Sequence, residues 1–98
     1  MKLYIIVKKT LSAGLKAAQA CHAMHAFTQA YPDITKEWEE HNNIVILQHD
    51  DPGDLGEVLE AMELALVRFY EPDLGGQLTA ICVEPSARKH LTKLPLAA

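Results

Sequence analysis

The hydrophobic pattern along this chain changes period several times, and each change marks an element. Leu3-Tyr4-Ile5-Ile6-Val7 is an unbroken apolar run, the pattern of a strand covered on both faces. From about Ala13 to Tyr31 the period becomes helical, with Ala17, Ala20, Met24, Phe27 and Tyr31 forming a core stripe at spacings of 3, 4, 3 and 4. Pro32 ends this helix by pushing the preceding residue out of the helical region. A short helix, Ile34 to His41, is anchored by Trp38, and Asn42-Asn43 makes a turn into a second strand around Ile44-Val45-Ile46-Leu47.

Asp51-Pro52-Gly53-Asp54 opens a third helix, since Asp51 can cap and Pro52 suits the first position. Leu55, Val58, Leu59 and Met62 repeat there at helical spacing. The third strand spans Leu64 to Phe69. A loop from Glu71 to Gln77, marked by Pro72 and Gly75-Gly76, leads to the fourth strand, Leu78 to Val83. Pro85 starts a last, basic helix from Ser86 to Leu94. This order predicts a single domain over residues 1–98: an α/β, three-layer α/β/α sandwich on a four-stranded mixed sheet, with strands near 2–8, 43–49, 64–70 and 78–84. The third and fourth strands lack a helix between them, which is too short a link for a parallel crossover, so one strand is antiparallel.

Composition narrows the class. Hydrophobic residues make up 49% of the 98, as in an ordinary globular domain, and no apolar run approaches the roughly 18–20 residues of a membrane span. The first apolar run is short and followed by Lys8 and Lys9, unlike a signal peptide. Cys21 and Cys82 form no disulfide framework and read as small buried hydrophobes in a reducing compartment, so the chain is expected to be cytoplasmic. The net charge of −4 is unevenly spread. Residues 1–32 hold Lys2, Lys8, Lys9 and Lys16 and no acid, 12 of the 13 acids lie between Asp33 and Asp73, and Arg88, Lys89 and Lys93 make the tail basic again. A phosphate backbone meets a local patch and not an average, so a nucleic-acid partner stays open despite the negative sum.

The candidate chemistry begins at Gly14-Leu15-Lys16-Ala17-Ala18-Gln19-Ala20-Cys21-His22-Ala23. A helix N-terminus at the carboxyl end of a strand gathers orphan N–H groups and a positive dipole, where anionic ligands bind in open α/β sheets. Lys16, Gln19 and His22 are the polar handles among very small residues. Leu15, Gln19, His22 and Ala26 fall on the face opposite the core stripe, with Lys16 on its flank.

Several segments in order resemble type 2 peptidyl-tRNA hydrolases: Gly14-x-x-Ala17-Ala18-Gln19-x-x-His22-Ala23 after a strand, Glu37-Trp38-Glu39-Glu40, Leu64-Ala65-Leu66-Val67-Arg68, and Gly76-x-x-Thr79 leading to Pro85. The resemblance implies cleavage of the ester joining a peptide to the 3′ end of tRNA, without a metal or other cofactor. It also implies an active site at the start of the first helix and the strand ends beside it. Three positions depart from the family pattern: Leu15 stands where the family has lysine, with Lys16 one residue later; Phe69 stands where it has aspartate, with Glu71 and Asp73 following; and Gln77 stands where it has the first of two threonines. The threonine-bearing motif becomes Gly76-Gln77-Leu78-Thr79.

The expected catalytic set is therefore Lys16, Gln19, His22, Glu71, Asp73 and Thr79. Glu71 or Asp73 would orient or deprotonate water, and the first helix's N-terminal amides with Lys16 would stabilise the oxyanion. Lys8, Lys9, Lys16, Arg68 and Arg88 would hold the acceptor end of the tRNA. Blander readings stand beside these: Glu71 and Asp73 as a solvated turn, Thr79 as a β-branched strand residue, Lys8 and Lys9 as surface charges, and Arg68 as a salt-bridge partner. Cys21, His22 and His25 point in different directions around a helix, so no metal site is expected. The competing functions are a binding module that keeps the fold and the tRNA or protein contact without catalysis, and hydrolysis of another small acyl or aminoacyl ester. No membrane partner is expected, and an exposed apolar surface on such a domain could support a homodimer.

Overall fold

β1 (Lys2–Lys8) is the spine of the molecule, buried from Leu3 to Val7 because it is paired on both edges and covered on both faces. The computed structural model describes all residues from Met1 to Ala98. After β1 come α1 (Ala13–Ala30), α2 (Pro32–Trp38), β2 (Asn43–His49), α3 (Pro52–Ala61), β3 (Leu66–Glu71) and β4 (Gln77–Val83). One 3₁₀ turn, Pro72–Leu74, joins β3 to β4, and another, Pro85–His90, follows β4. The sheet order is β2-β1-β4-β3. β1 and β2 are parallel, and β4 runs antiparallel to both of its neighbours, so the sheet is mixed with one reversed strand, as the short β3–β4 link required.

Side-chain alternation along β1 divides the core in two. Leu3, Ile5 and Val7 pack with Ala20, Ala23, Phe27, Trp38 and Cys82, on the side of α1 and α2. Tyr4 and Ile6 pack with Leu47, Leu59, Ile81, Ala87 and Leu91, on the side of α3 and the last 3₁₀ turn. No helix is long and apolar enough to cross a membrane. In the β3–β4 link, Gly75 and Gly76 have φ of +69° and +75°, and the Gly76 N–H returns to the Glu71 carbonyl at 2.9 Å. Two successive left-handed residues favour glycine at both positions.

Four expectations change. The inner face of α1 consists of Lys16, Gln19, Ala20, Ala23 and Phe27, with Ala17 exposed. The helix is thus turned by roughly 60° from the stripe its apolar residues suggest, toward two polar side chains. Cys21 is exposed for the same reason, while Cys82 is fully buried and desolvation pushes its thiol up to about 12. On α3, Leu59 is buried but Val58 and Met62 are 49% and 46% exposed, because Pro52, Gly56 and Leu59 form the packed face. The last basic segment is a 3₁₀ turn that ends at His90 instead of a helix to Leu94. Only Ala87 and Leu91 anchor it, and the tighter, more elongated coil covers more length per residue than an α-helix. Pro32 both stops α1 and starts α2, since its missing N–H is no loss at a first helical position.

Leu59→Ala should cost about 2–5 kcal/mol in urea unfolding, whereas Val58→Ala should stay below about 1 kcal/mol. A thiol reagent at pH 8 should label Cys21 in the native protein and reach Cys82 only on unfolding, as read by mass spectrometry.

Candidate functional site

Sheet polarity decides which loops meet. β1 and β3 end at the same edge of the sheet where β4 begins, so the β1–α1 loop and the β3–β4 link are neighbours. Lys8, the last residue of β1, donates from Nζ to Oε1 of Gln77, the first residue of β4, at 2.6 Å. β2 ends there too, and the Lys9 N–H bonds to the His49 carbonyl at 2.9 Å. α1 starts at this end behind an N-cap at Ser12, with Ala13, Gly14 and Leu15 exposed.

One turn into α1, the Gln19 side chain enters the interface with the sheet and is 1% exposed. It does not face away from the core, as the apolar stripe suggested. Gln19 Nε2 donates to Glu71 Oε1 at 3.0 Å, and Thr79 Oγ1 donates to Gln19 Oε1 at 2.6 Å. The network joins α1 to the end of β3 and the start of β4. Thr79 owes its place to a bulge: Phe69 pairs with Ala80, but the next β3 residue, Tyr70, pairs with Leu78, leaving Thr79 as the extra residue. Leu78 packs with the α3-side core and Ala80 with the α1-side core. The extra residue therefore lets Thr79 join Ala80 in facing α1, where strict alternation would have aimed it at α3. No buried side-chain polar atom lacks a partner.

Glu71 is half-buried at the rim and is the carboxylate that reaches this network. Asp73 lies exposed in the 3₁₀ turn beyond it. His22, one turn after Gln19, is exposed, and its ring stacks on Phe69 with centroids 4.7 Å apart and planes 19° from parallel. Phe69 and Glu71 are two residues apart on β3, so both side chains lie on the α1 face.

Lys16 shares the inner face of α1 with Gln19 but reaches the other way, toward β2. Its Nζ donates to Gln48 Oε1 at 2.8 Å and to the Ala98 carbonyl at 3.1 Å, leaving the residue 8% exposed. Leu15, at the preceding position, is 40% exposed. The remaining cations divide. Lys8 and Lys9 stand at the shared sheet end. Arg68 is on the α3 face, where NH1 donates to Glu60 Oε2 at 2.9 Å, an exposed pair that lowers the carboxyl pKa of Glu60 and raises that of Arg68. Arg88 also lies on that side. It lines an open depression of about 450 Å³ with Pro85, Ser86, Lys89 and Thr92, next to the end of β4 that pairs with the start of β1. No comparable cavity opens over the Gln19 network.

Two residues escaped the sequence reading. Gln48 is the partner of Lys16, and its signal was a polar residue following the apolar run of the second strand. Ser12 is the N-cap of α1, accepting from the Leu15 N–H at 3.4 Å, and its signal was a serine just before an alanine-rich helix.

Comparison with protein families identifies what this arrangement belongs to. The sequence matches the family model described as peptidyl-tRNA hydrolase PTH2 over residues 1–94. No curated protein matches it. The chain belongs to the type 2 peptidyl-tRNA hydrolase family.

Gln19→Leu leaves the Thr79 hydroxyl and the Glu71 carboxylate without their amide partner. It should destabilise the fold by about 1–3 kcal/mol, read by chemical unfolding. Gln19→Glu should be at least as costly near neutral pH, because it sets a carboxylate against Glu71.

Proposed function

We propose that this chain hydrolyses the ester between a peptide and the 3′ end of tRNA, with Glu71 as the group that orients and deprotonates water. One observation supports the reading above others: Glu71 is held by a buried amide at the sheet end that also carries Lys16, the open N-terminus of α1 and the cations Lys8 and Lys9. A carboxylate fixed at one oxygen keeps its other oxygen for a water, which suits a general base. The oxyanion formed as water attacks would be met by the first-turn amides of α1 and by the Lys16 ammonium once that has left its present partners. Gln19 and Thr79 act through Glu71 as positioning residues, since both are buried. His22, stacked on Phe69 at the rim, would contact the substrate beside Glu71. Lys8 and Lys9 would hold acceptor-end phosphates, with Arg68 and Arg88 serving a tRNA that wraps onto the α3 side. The compartment in this reading is the cytoplasm, where translation supplies the substrate.

A second reading, a binding module of the same fold, is favoured by Lys16. Its ammonium is already engaged by Gln48 and Ala98, and position 15, one step away on the helix, holds an exposed leucine.

Cleavage of an N-acetyl-aminoacyl-tRNA separates the two. The hydrolase reading expects turnover by the wild type, a loss of roughly 10²–10⁴ in kcat for Glu71→Gln, and a loss of roughly 10²–10³ for Lys16→Ala. Asp73→Asn should change the rate only a few-fold. Lys9→Ala should lower the slope of log K against log salt for tRNA binding by about 1. Binding of tRNA without turnover by the wild type would favour the module.

A further inference from the structure

β2 is an edge strand, and an unpaired strand edge invites another chain to pair with it. Here the last four residues of the sequence, 95–98, take that place. They are also residues that the family match, ending at 94, does not include. The Gln48 N–H donates to the Pro95 carbonyl at 3.1 Å, the Ala97 N–H donates to the Ile46 carbonyl at 2.9 Å, and Leu96 stands opposite Leu47 in an antiparallel bridge. The segment passes from Leu94, packed on the α3-side core, to Ala97, packed on the α1-side core, and so wraps the edge of β2. It then delivers the Ala98 carbonyl oxygen to Lys16 Nζ, while the Ala98 N–H lies 3.4 Å from Gln48 Oε1. Apart from Ala97, little of it is held by side chains: Leu96 is 69% exposed. Main-chain groups hold it.

We propose that this edge of β2, with Gln48 and Lys16, is the subsite for the peptide half of the substrate, read through its main chain, and that residues 95–98 occupy it in the free protein. The inference rests on the hydrolase reading above and extends it to the acyl side. A peptide released from translation has no fixed sequence, so its binding site must use groups every peptide carries. Backbone pairing to a strand edge does that, with side chains left free to vary. The polarity of the tail fits as well. The tail runs antiparallel to β2 and brings its last main-chain oxygen to the Lys16 ammonium, so a peptide lying the same way would bring its esterified end to Lys16. A tethered tail competes at an effective concentration near millimolar, so an external peptide must displace it first.

The probe is N-acetyl-Leu-Pro-Leu-Ala-Ala-amide, titrated by NMR into the protein of residues 1–98. Ala97→Pro removes the N–H that bonds Ile46, and Ala97→Asp places a carboxylate against the α1-side core; each should free the edge without touching the groups assigned to catalysis. Both variants should bind the peptide at least about 10-fold more tightly than the wild type, with shifts at Ile46, Leu47 and Gln48. Adding Lys16→Ala to Ala97→Pro should remove most of that gain. In the wild type, saturating peptide should speed hydrogen exchange of the Ala97 amide. Equal binding by wild type and variants, shifts elsewhere on the surface, or unchanged exchange of Ala97 under saturating peptide would each overturn the proposal. Binding along β2 by a protein that fails to cleave peptidyl-tRNA would refute the hydrolase reading and with it the substrate role given to this edge, leaving only a peptide-binding edge. Cleavage with no binding at β2 would overturn this proposal and leave the hydrolase reading intact.

Discussion

A single buried amide organises the site end of this molecule. Gln19 comes from a helix whose neighbouring side chains are mostly alanine, and its carboxamide is almost wholly removed from water. Burying such a group is costly unless both its ends are paired. The pairing is supplied from two other strands: Glu71 at the end of β3 accepts its N–H, and Thr79 at the start of β4 donates to its oxygen. α1 cannot rotate or slide along the sheet without breaking one of these bonds. The small residues around Gln19 let the helix sit close enough for the short amide side chain to reach. The same bonds fix Glu71, the one carboxylate of the β3–β4 region that is tied to the helix.

Leu15 and Phe69, two of the positions where the sequence departs from the family pattern, take definite places in the fold. Lysine is shifted by one position, yet Lys16, not Leu15, is on the inner face of α1 with Gln19. The aspartate position is taken by Phe69, and a carboxylate returns two residues later on the same face of β3. The space beside it is filled by the stack of Phe69 on His22. Lys16 and Glu71 both stand toward the shared sheet end, on the α1 face. Lys16 is covered by Gln48 and by the tail that wraps β2.

The charge asymmetry of the sequence acquires a direction in the fold. Lys8 and Lys9 close β1 at the site end, while Arg68 is neutralised locally by Glu60 across the sheet and Arg88 stands beside the last 3₁₀ turn. Surface pairs of this kind contribute little to stability and are screened by salt. Their consequence is spatial. Lys8 and Lys9 stand at the sheet end that carries Glu71, whereas Arg68 and Arg88 lie on the α3 side.

The sequence by itself determined the element order and the reversed strand. Apolar runs, prolines, glycines and link lengths constrain the chain locally, and a link without a helix cannot cross over to a parallel neighbour. It also singled out Lys16, Gln19 and His22 as polar residues among small ones, Glu71 and Asp73 as carboxylates beside a Gly-Gly loop, and Thr79 through the family resemblance. What it could not carry was how those residues face one another. Alanine has almost no directional preference, so the stripe read from Ala17 and Met24 was turned away from the true inner face, which includes two polar side chains. Thr79 faces α1 only because of a bulge in a pairing that exists between two strands and in neither alone. The partners of Lys16, Gln48 and Ala98, lie 32 and 82 residues away in sequence. Such contacts are decided by which edges of the sheet are left open and by which buried polar groups still need a partner, and both are properties of the assembled fold.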